Sequence, residues 1–463
     1  MTGIKNGTMV IGQTEVPFLF DKENMMLTAY FGGKTVELPE NIYDIVGQDS
    51  DKLCGYTYYK FSVPLMSSGL TVIGTEAKQV AIGNQSVAVE YYIEKYQPRT
   101  SYHKMKLQFE ELNYFLPSCI QMVSHDDKMI FSREVNHVYQ FEVNYRNTPL
   151  NISFDIAATG VTGAKSTAET ISEVIITFPE TDDLDFVNDI YLRTRNFFSF
   201  VCNRKNIGLR GATIYGKYPS KKPEGGKLID VEYPTSQDIF FSQKYLEPME
   251  IDKKIKEVLN IRYLSRKLKE LFQMFFEFGE EEQAIVNDSS IHHSFKYRNL
   301  IDLEQSLHIT ATFEHYVKIL LPEMSSAATL EFIEDMKEFL EGYIIDDSKM
   351  KKKRNKAKDF LKGLAPQISL KDKVIKVYKG YSDWPSLSTP LNELFKEEDI
   401  PVLATEANEW RNELAHDKRE YVPNLNAIKA IRLLEHMNYA IVLRKAGYSD
   451  EEINYILKEI LIR

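Results

Sequence analysis

The spacing of apolar residues changes from a strand-like to a helix-like period near residues 235–250. Before this point, short runs such as Tyr56–Val63 and Ser86–Ile93 are rich in aromatic and β-branched residues and are separated by Gly-Gly or Gly-Asn pairs. Such runs favour strands, and the glycine pairs favour hairpin turns. Beyond this point, apolar residues from Ile251 to Phe276 recur at helical spacing. The sequence therefore predicts an α+β protein whose strands precede its helices.

Residues 1–240 are predicted to form a β-rich, sandwich-like domain or a strongly bent antiparallel sheet, with one or two helices. Within this region, Asp182 and Asp183 can cap a helix that runs through Phe200 and packs on the sheet. Residues 206–233 are predicted to be a hairpin or a linker. Their glycines do not follow a strand–loop–helix phosphate motif, and the chain carries no Walker A or Rossmann fingerprint.

Residues 248–463 are predicted to form an all-α bundle. The apolar periodicity and the positions of proline and glycine place its helices at approximately defined ranges. These are 251–276, 295–321, 327–343, 350–364, 370–378, 391–396, 400–415, 425–445 and 450–462.

Cysteine usage indicates a reducing compartment. Cys54, Cys119 and Cys202 lie far apart without a CxxC pair, so neither a disulfide framework nor a cysteine-rich zinc site is expected. The N-terminus lacks a signal-peptide core, and no apolar run approaches the roughly 18 residues that span a bilayer. The sequence therefore predicts a cytoplasmic protein that does not enter a membrane. No metal or cofactor is expected.

A basic segment stands out in an otherwise acidic chain. The net charge of −10 argues against a general nucleic-acid coat. Residues 349–358 nevertheless concentrate seven cations. Two readings remain open: a solvated helix face or loop, and a contact with the RNA backbone. The residues assigned to the RNA contact are Lys351, Lys352, Lys353, Arg354 and Lys356.

The segment Asn408–Asp417 places an arginine, an amide and a histidine within two helical turns: Arg411, Asn412 and His416. On an ideal helix, Arg411 and His416 lie about 140° apart, so they can converge only if the helix ends or bends near His416. The charged residues and Pro423 that follow predict such an end.

These residue types suit metal-free cleavage of RNA. Histidine can transfer the proton when the 2′-hydroxyl attacks phosphorus, because its pKa lies near neutrality. The planar, permanently charged guanidinium of Arg411 matches phosphate oxygens, and Asn412 can orient the ribose or the histidine. The alternative is structural: an arginine in a local ion pair, an amide on a helix surface and a histidine at a helix end.

The Arg-polar-x-x-x-His pattern of Arg411, Asn412 and His416 resembles the signature of HEPN domains, helical bundles that include many ribonucleases of defence systems. A helix carrying Glu304 and His308 precedes the motif by about a hundred residues. This order is similar to that of ApeA-type proteins, in which a β-rich domain precedes the HEPN bundle and the protein protects bacteria against phage. The resemblance implies that residues 1–240 are a sensing or regulatory domain and that residues 248–463 are the HEPN domain. It leaves Glu304 and His308 either as supporting residues of the cleft or as surface and packing residues.

Two function classes follow. The first is a metal-independent endoribonuclease of an abortive-infection system, a toxin that cleaves RNA, with tRNA one candidate, after an unknown phage-derived trigger. The second is a catalytically inactive HEPN interaction or sensor module with a ligand-binding β domain. Both imply a homodimer that pairs through the motif-bearing face, with higher oligomers left open.

Overall fold

The chain divides into a β-rich unit and a helical unit. A computed structural model describes residues 3–37, 42–50, 55–65, 69–73, 76–109, 111–116, 121–125, 128–132, 139–160, 168–202, 207–224, 227–242, 261–279, 303–320, 327–346, 350–363, 368–381, 384–415 and 424–461. The first compact unit comprises Met1–Phe198, Asn206–Ile261 and Phe272–Glu277, and the second comprises Ser199–Lys205, Arg262–Leu271 and Phe278–Arg463. The fold is therefore mixed α+β, with a β-rich N-terminal region followed by a helical region.

Six of the first seven strands form a closed antiparallel barrel. The seven strands are β1 (Ile4–Ile11), β2 (Thr14–Asp21), β3 (Met26–Glu37), β4 (Ile42–Asp49), β5 (Tyr56–Leu65), β6 (Gly69–Ile73) and β7 (Glu76–Tyr96). The order β7–β3–β2–β1–β4–β5 closes because β7 pairs with both β3 and β5, while β6 pairs with β7 outside this path. This closure differs from the sandwich-like arrangement that the sequence predicts and is nearer to the predicted alternative, a strongly bent antiparallel sheet. The 21 residues of β7 let it serve both edges of the sheet.

Alternating burial fills the barrel with side chains. Val16, Phe18 and Phe20 of β2 are buried, whereas the residues between them are exposed or half-buried. Phe20 lies edge-on to Tyr59 and Tyr92, with ring centroids 5.0 and 4.9 Å away. Edge-to-face contacts of this kind add to the gain from removing apolar surface from water. The barrel interior is therefore a packed apolar core.

The remaining strands extend the sheet from β7. They are β8 (Ser101–Phe109), β11 (Tyr139–Tyr145), β12 (Thr148–Gly160), β13 (Ala168–Thr181), β14 (Leu209–Glu224) and β15 (Lys227–Phe241), with a separate pair β9 (Gln121–His125) and β10 (Lys128–Ser132). The order from β7 is β15–β14–β8–β13–β12–β11. Strands β14 and β15 pair from Thr213↔Asp238 to Glu224↔Lys227, which confirms the predicted hairpin.

The described residues of the β-rich part of the sequence include two helices, α1 (Leu112–Phe115) and α2 (Leu184–Cys202). The carboxylate of Asp183 accepts hydrogen bonds from the backbone N–H groups of Asp185 and Phe186 at 3.0 Å, which confirms the predicted cap of α2. Phe198 of α2 contacts Phe109 of β8 and Phe154 of β12, with ring centroids 5.2 and 6.3 Å apart. Helix α2 therefore packs on the sheet, as predicted.

The C-terminal region is helical. Its helices are α3 (Ile261–Leu264), α4 (Leu268–Glu277), α5 (Leu303–Leu320), α6 (Ala327–Ile345), α7 (Lys351–Gly363), α8 (Leu370–Lys379), α9 (Ser388–Leu391), α10 (Ile400–Ala415), α11 (Leu425–Lys445) and α12 (Asp450–Leu461). Helix α10 packs on α5, α8 and α11, and α5 also packs on α11. In the part of the chain that the structure describes, no helix combines the length and apolarity needed to cross a membrane.

Most of the described helices lie where periodicity predicts them. The six predicted between 327 and 462, apart from 391–396, are confirmed with ends shifted by at most two residues. The prediction for 391–396 is wrong, because the helix occupies Ser388–Leu391, where Pro390 is tolerated in a first turn. Residues 251–260 of the predicted helix 251–276 lie outside the described residues. The described remainder of this helix is interrupted after Leu264. There the Ser265 hydroxyl donates to the Arg262 carbonyl, a bond that competes with the helix. Residues 295–302 and 321 also lie outside the described residues.

Helix α11 is buried on all sides from Leu433 to Leu443. Its buried polar side chains have partners. Glu435 pairs with Arg432 at 2.6 Å, and Asn438 donates to the Ile309 carbonyl of α5 at 3.1 Å. His436 Nδ1 lies 2.6 Å from the Arg432 carbonyl, which can only accept, so Nδ1 carries a proton in the folded state. Burial lowers the pKa of His436 from its ordinary value.

The lowered pKa of His436 makes the stability of the protein depend on pH. Because the unfolded imidazole takes up a proton at about pH 6.5 and the folded one only at lower pH, its contribution is complete above about pH 6.5. That contribution is lost as the pH falls toward the lowered folded value. We expect the free energy of unfolding, measured by urea titration, to fall over this range by up to about 1.4 kcal/mol per pH unit. The His436→Gln variant should be less stable at pH 7 and should show a shallower slope; an unchanged slope would contradict the assignment.

Candidate functional site

Helix α10 carries Arg411 and Asn412 near its C-terminal end. Leu403, Ala404, Ala407 and Trp410 are all buried, at the three- and four-residue spacing of one helix face. The small alanine side chains in this face allow neighbouring helices to approach closely. The buried face fixes the rotation of α10 about its axis. Arg411, the residue after Trp410, therefore lies at the edge of this face with 45% of its side chain exposed.

Arg411 is held by a carboxylate from a different helix. Its Nη2 lies 3.4 Å from Glu314 Oε2 of α5. The other oxygen of the same carboxylate, Oε1, lies 3.0 Å from Lys373 Nζ of α8. One carboxylate thus joins two cations, and the three residues come from three helices. We call these three residues the Arg411 cluster.

The Arg411 cluster carries one more positive than negative charge. Glu314 and Lys373 are about three-quarters buried, whereas Arg411 is the most exposed of the three. A guanidinium has five N–H donors in a planar fork, so Arg411 can contact Glu314 and still present donors to solvent. The cluster can therefore bind an anion such as a phosphate at its exposed edge.

Asn412 lies beside the guanidinium. Arg411 Nη1 donates to Asn412 Oδ1 at 3.4 Å, at the long end of the hydrogen-bond range. The contact orients the amide oxygen of this exposed side chain toward the cation. The amide nitrogen of Asn412 can then donate to a further group.

The remaining residues of the predicted site are His416, Glu304 and His308. His416 lies outside the described residues, and so does the side chain of Glu304. His308 is half-buried on α5. His308 and Glu314 are six residues apart, so they lie about 120° apart around that helix. The residue that α5 brings to Arg411 is Glu314.

The basic segment lies on α7. Lys351, Lys352, Lys353 and Lys356 are exposed, and Arg354 is half-buried. Helix α7 packs on α6, whereas Arg411 lies on α10, which packs on α5, α8 and α11. The described part of the basic segment is therefore helical. Its cations lie on α7, whereas the Arg411 cluster lies on α5, α8 and α10.

Sequence reasoning did not single out Glu314 or Lys373. Glu314 and Arg411 are 97 residues apart in sequence, and a glutamate on an amphipathic helix is an ordinary surface residue. No local pattern links the two. Among the residues that the structure describes, no group of three or more histidine, cysteine or carboxylate side chains is placed to hold a metal ion.

Comparisons of the chain with protein-family models, with curated proteins and with solved structures each found no match.

The ion pair between Arg411 and Glu314 can be measured by a double-mutant cycle. Because both groups are partly exposed, the coupling free energy between Arg411→Ala and Glu314→Ala should be about 0.2–1 kcal/mol in chemical denaturation, and it should fall at high salt. Arg411→Ala combined with Glu406→Ala is the matched control, since Glu406 contacts Asn424 instead. Equal coupling in the two cycles would contradict the contact.

Proposed function

We propose that this chain is a metal-independent endoribonuclease of the HEPN type, with Arg411 and His416 as its catalytic pair. The observation that supports this proposal is the Arg411 cluster. The arginine of the motif lies at an exposed helix edge, is oriented by Glu314 and has a second cation, Lys373, on the same carboxylate. A preorganised cation of this kind stabilises the charge that develops on a phosphate during attack.

The chemistry needs a proton-transfer group and a cation. His416 takes the proton from the 2′-hydroxyl, whose oxygen then bonds to the adjacent phosphorus. The bond from phosphorus to the 5′-oxygen breaks, and that oxygen leaves with a proton. The products are a 2′,3′-cyclic phosphate and a 5′-hydroxyl. Arg411 neutralises the charge on the non-bridging oxygens, and Asn412 orients the ribose or the imidazole.

A symmetric dimer would supply both proton-transfer groups. One subunit brings a single His416, whereas attack and departure each move a proton. An isologous interface places the same residue of two subunits near the axis, so the motif can contribute twice to one cleft. We therefore propose a C2 homodimer that pairs through the motif-bearing face. Lys351, Lys352, Lys353, Arg354 and Lys356 are proposed as additional contacts to the RNA backbone.

The biological role follows from the resemblance to ApeA-type proteins. The β-rich region would sense a phage-derived trigger and release the ribonuclease in an abortive-infection response. tRNA is one candidate substrate. Cleavage of host RNA would halt growth before phage are released.

The second candidate is a catalytically inactive interaction or sensor module. One observation favours it: Arg411 already has a carboxylate partner, which is the arrangement of a structural ion pair. In this alternative, the cluster ties α5, α8 and α10 together and the β-rich region binds the ligand.

Substitutions of the motif separate the two candidates. His416→Ala should abolish RNA cleavage in the presence of EDTA, and Arg411→Ala should lower its rate by about 10²-fold or more through lost phosphate stabilisation. Both variants should keep the circular dichroism spectrum of the wild type. Arg266→Ala is the matched control, because Arg266 is also an exposed arginine, in the turn between α3 and α4, and pairs with Glu452 of α12. Full activity of the His416 variant would contradict the ribonuclease and favour the inactive module.

A further inference from the structure

Helices α6 and α7 form a hairpin with large apolar side chains in solvent. The two helices pack on each other, and the short connection between Ile345 and Lys351 makes them antiparallel neighbours. Phe332 and Phe339 of α6 are 63% and 65% exposed, and Phe360 of α7 is 70% exposed. Scattered single apolar residues are normal on a surface, but a contiguous apolar patch marks an interaction site.

The three phenylalanines lie on one side of the hairpin. Ile333 and Ala357 are buried and mark the faces on which α6 and α7 meet. On a helical wheel, Phe332 and Phe339 are rotated from Ile333 by about −100° and −120°, and Phe360 is rotated from Ala357 by about −60°. Because the helices are antiparallel and face each other, rotation in the same sense brings all three to the same side. We call this side the phenylalanine face.

The two helices of the hairpin carry opposite charges. Helix α6 contains Glu331, Glu334, Asp335, Glu338 and Glu341 against the single Lys337. Helix α7 contains Lys351, Lys352, Lys353, Arg354, Lys356, Lys358 and Lys362 against the single Asp359. On the same helical wheel, Asp335 of α6 and Lys352, Lys353 and Lys356 of α7 lie toward the phenylalanine face, so on that face α6 is acidic and α7 is basic. Opposite charges on the two halves of one face make that face complementary to a rotated copy of itself.

We propose that the phenylalanine face binds the phenylalanine face of a second copy of this chain. A two-fold axis parallel to the helices places the acidic α6 of each copy over the basic α7 of the other. The two hairpins then form a four-helix bundle with the phenylalanines in its core. A two-fold axis that is perpendicular to the helices and parallel to the phenylalanine face would instead place α6 on α6 and α7 on α7, where like charges repel. The charge pattern therefore selects the first arrangement.

The aromatic and charged residues have separate roles in this interface. Phe332, Phe339 and Phe360 supply the apolar centre, where aromatic anchors carry most of the binding free energy. Asp335 and Lys356 each precede a phenylalanine by four residues, on the same side of their helix, and fix the register. In the assembled protein Lys356 pairs with Asp335 of the second copy, and the RNA contact is left to the cations of α7 outside the phenylalanine face. This interface is distinct from pairing through Arg411. A chain that uses both interfaces would form a tetramer or a larger assembly.

The first experiment measures the mass of the full chain by analytical ultracentrifugation over a range of concentrations. The double substitution Phe332→Ser with Phe339→Ser should raise the dissociation constant of the assembly by at least about 100-fold, because it removes four aromatic side chains from one interface. The mass at micromolar concentration should then halve. Val402→Ser, at an exposed apolar residue of α10, is the matched control and should leave the mass unchanged. RNA cleavage is not the readout, so the result is independent of the proposed enzyme.

The second experiment tests the charge register. Asp335→Lys alone and Lys356→Glu alone should each weaken self-association by at least about threefold, since each places like charges across the interface twice. An equimolar mixture of the two variants should associate as tightly as the wild type, because both contacts are again between opposite charges. A monomeric wild type, a mass unaffected by loss of the phenylalanines, or a mixture no tighter than its parts would overturn the proposal. So would loss of RNA binding in the phenylalanine variant without a change in mass.

Discussion

The burial of α11 on all sides constrains the packing of the helical unit more than any other feature. A helix that is buried around its whole circumference needs neighbours on every side, and α5, α10 and α12 pack on α11. The arrangement tolerates polar residues because each has at least one partner within reach: Arg432 for Glu435, the Arg432 carbonyl for His436 and the Ile309 carbonyl for Asn438. Leaving one of these groups without its partner would cost about 1–3 kcal/mol, so the partners also fix the register of α5 against α11.

The position of Arg411 follows from this packing. Leu403, Ala404 and Ala407 belong to the buried face of α10, which packs on α5, α8 and α11, and α5 presents Glu314 to the exposed edge of α10. The ion pair itself is partly exposed and contributes little to stability. The ion pair instead fixes geometry: because Glu314 holds one side of the Arg411 guanidinium, the N–H groups on its other side have a defined orientation. A preorganised cation at a partly solvent-exposed edge is the property that phosphate chemistry requires.

The sequence predicted local structure better than contacts between distant segments. The ends of α10 and α11 follow from apolar spacing and from the turn residues that flank them, and Asp183 caps α2 as its position suggested. Closure of the barrel could not be predicted, because it depends on β7 pairing with β5 as well as with β3. The full burial of α11 was hidden by Glu435 and His436, which resemble a solvent-facing stripe until their partners are known. Glu314 was missed for the same reason: its role depends on Arg411, 97 residues away.

Analysis of the RNA ends tests the catalytic claim most directly. The purified full chain is incubated in EDTA with an RNA oligonucleotide, and the fragments are identified by mass spectrometry. Attack by the 2′-hydroxyl must leave a 2′,3′-cyclic phosphate and a 5′-hydroxyl, and a single 2′-O-methyl group at the cleaved position must abolish that cut. Fragments with 3′-hydroxyl and 5′-phosphate ends, cleavage that survives the 2′-O-methyl group, or RNA that remains intact would contradict catalysis by Arg411 and His416.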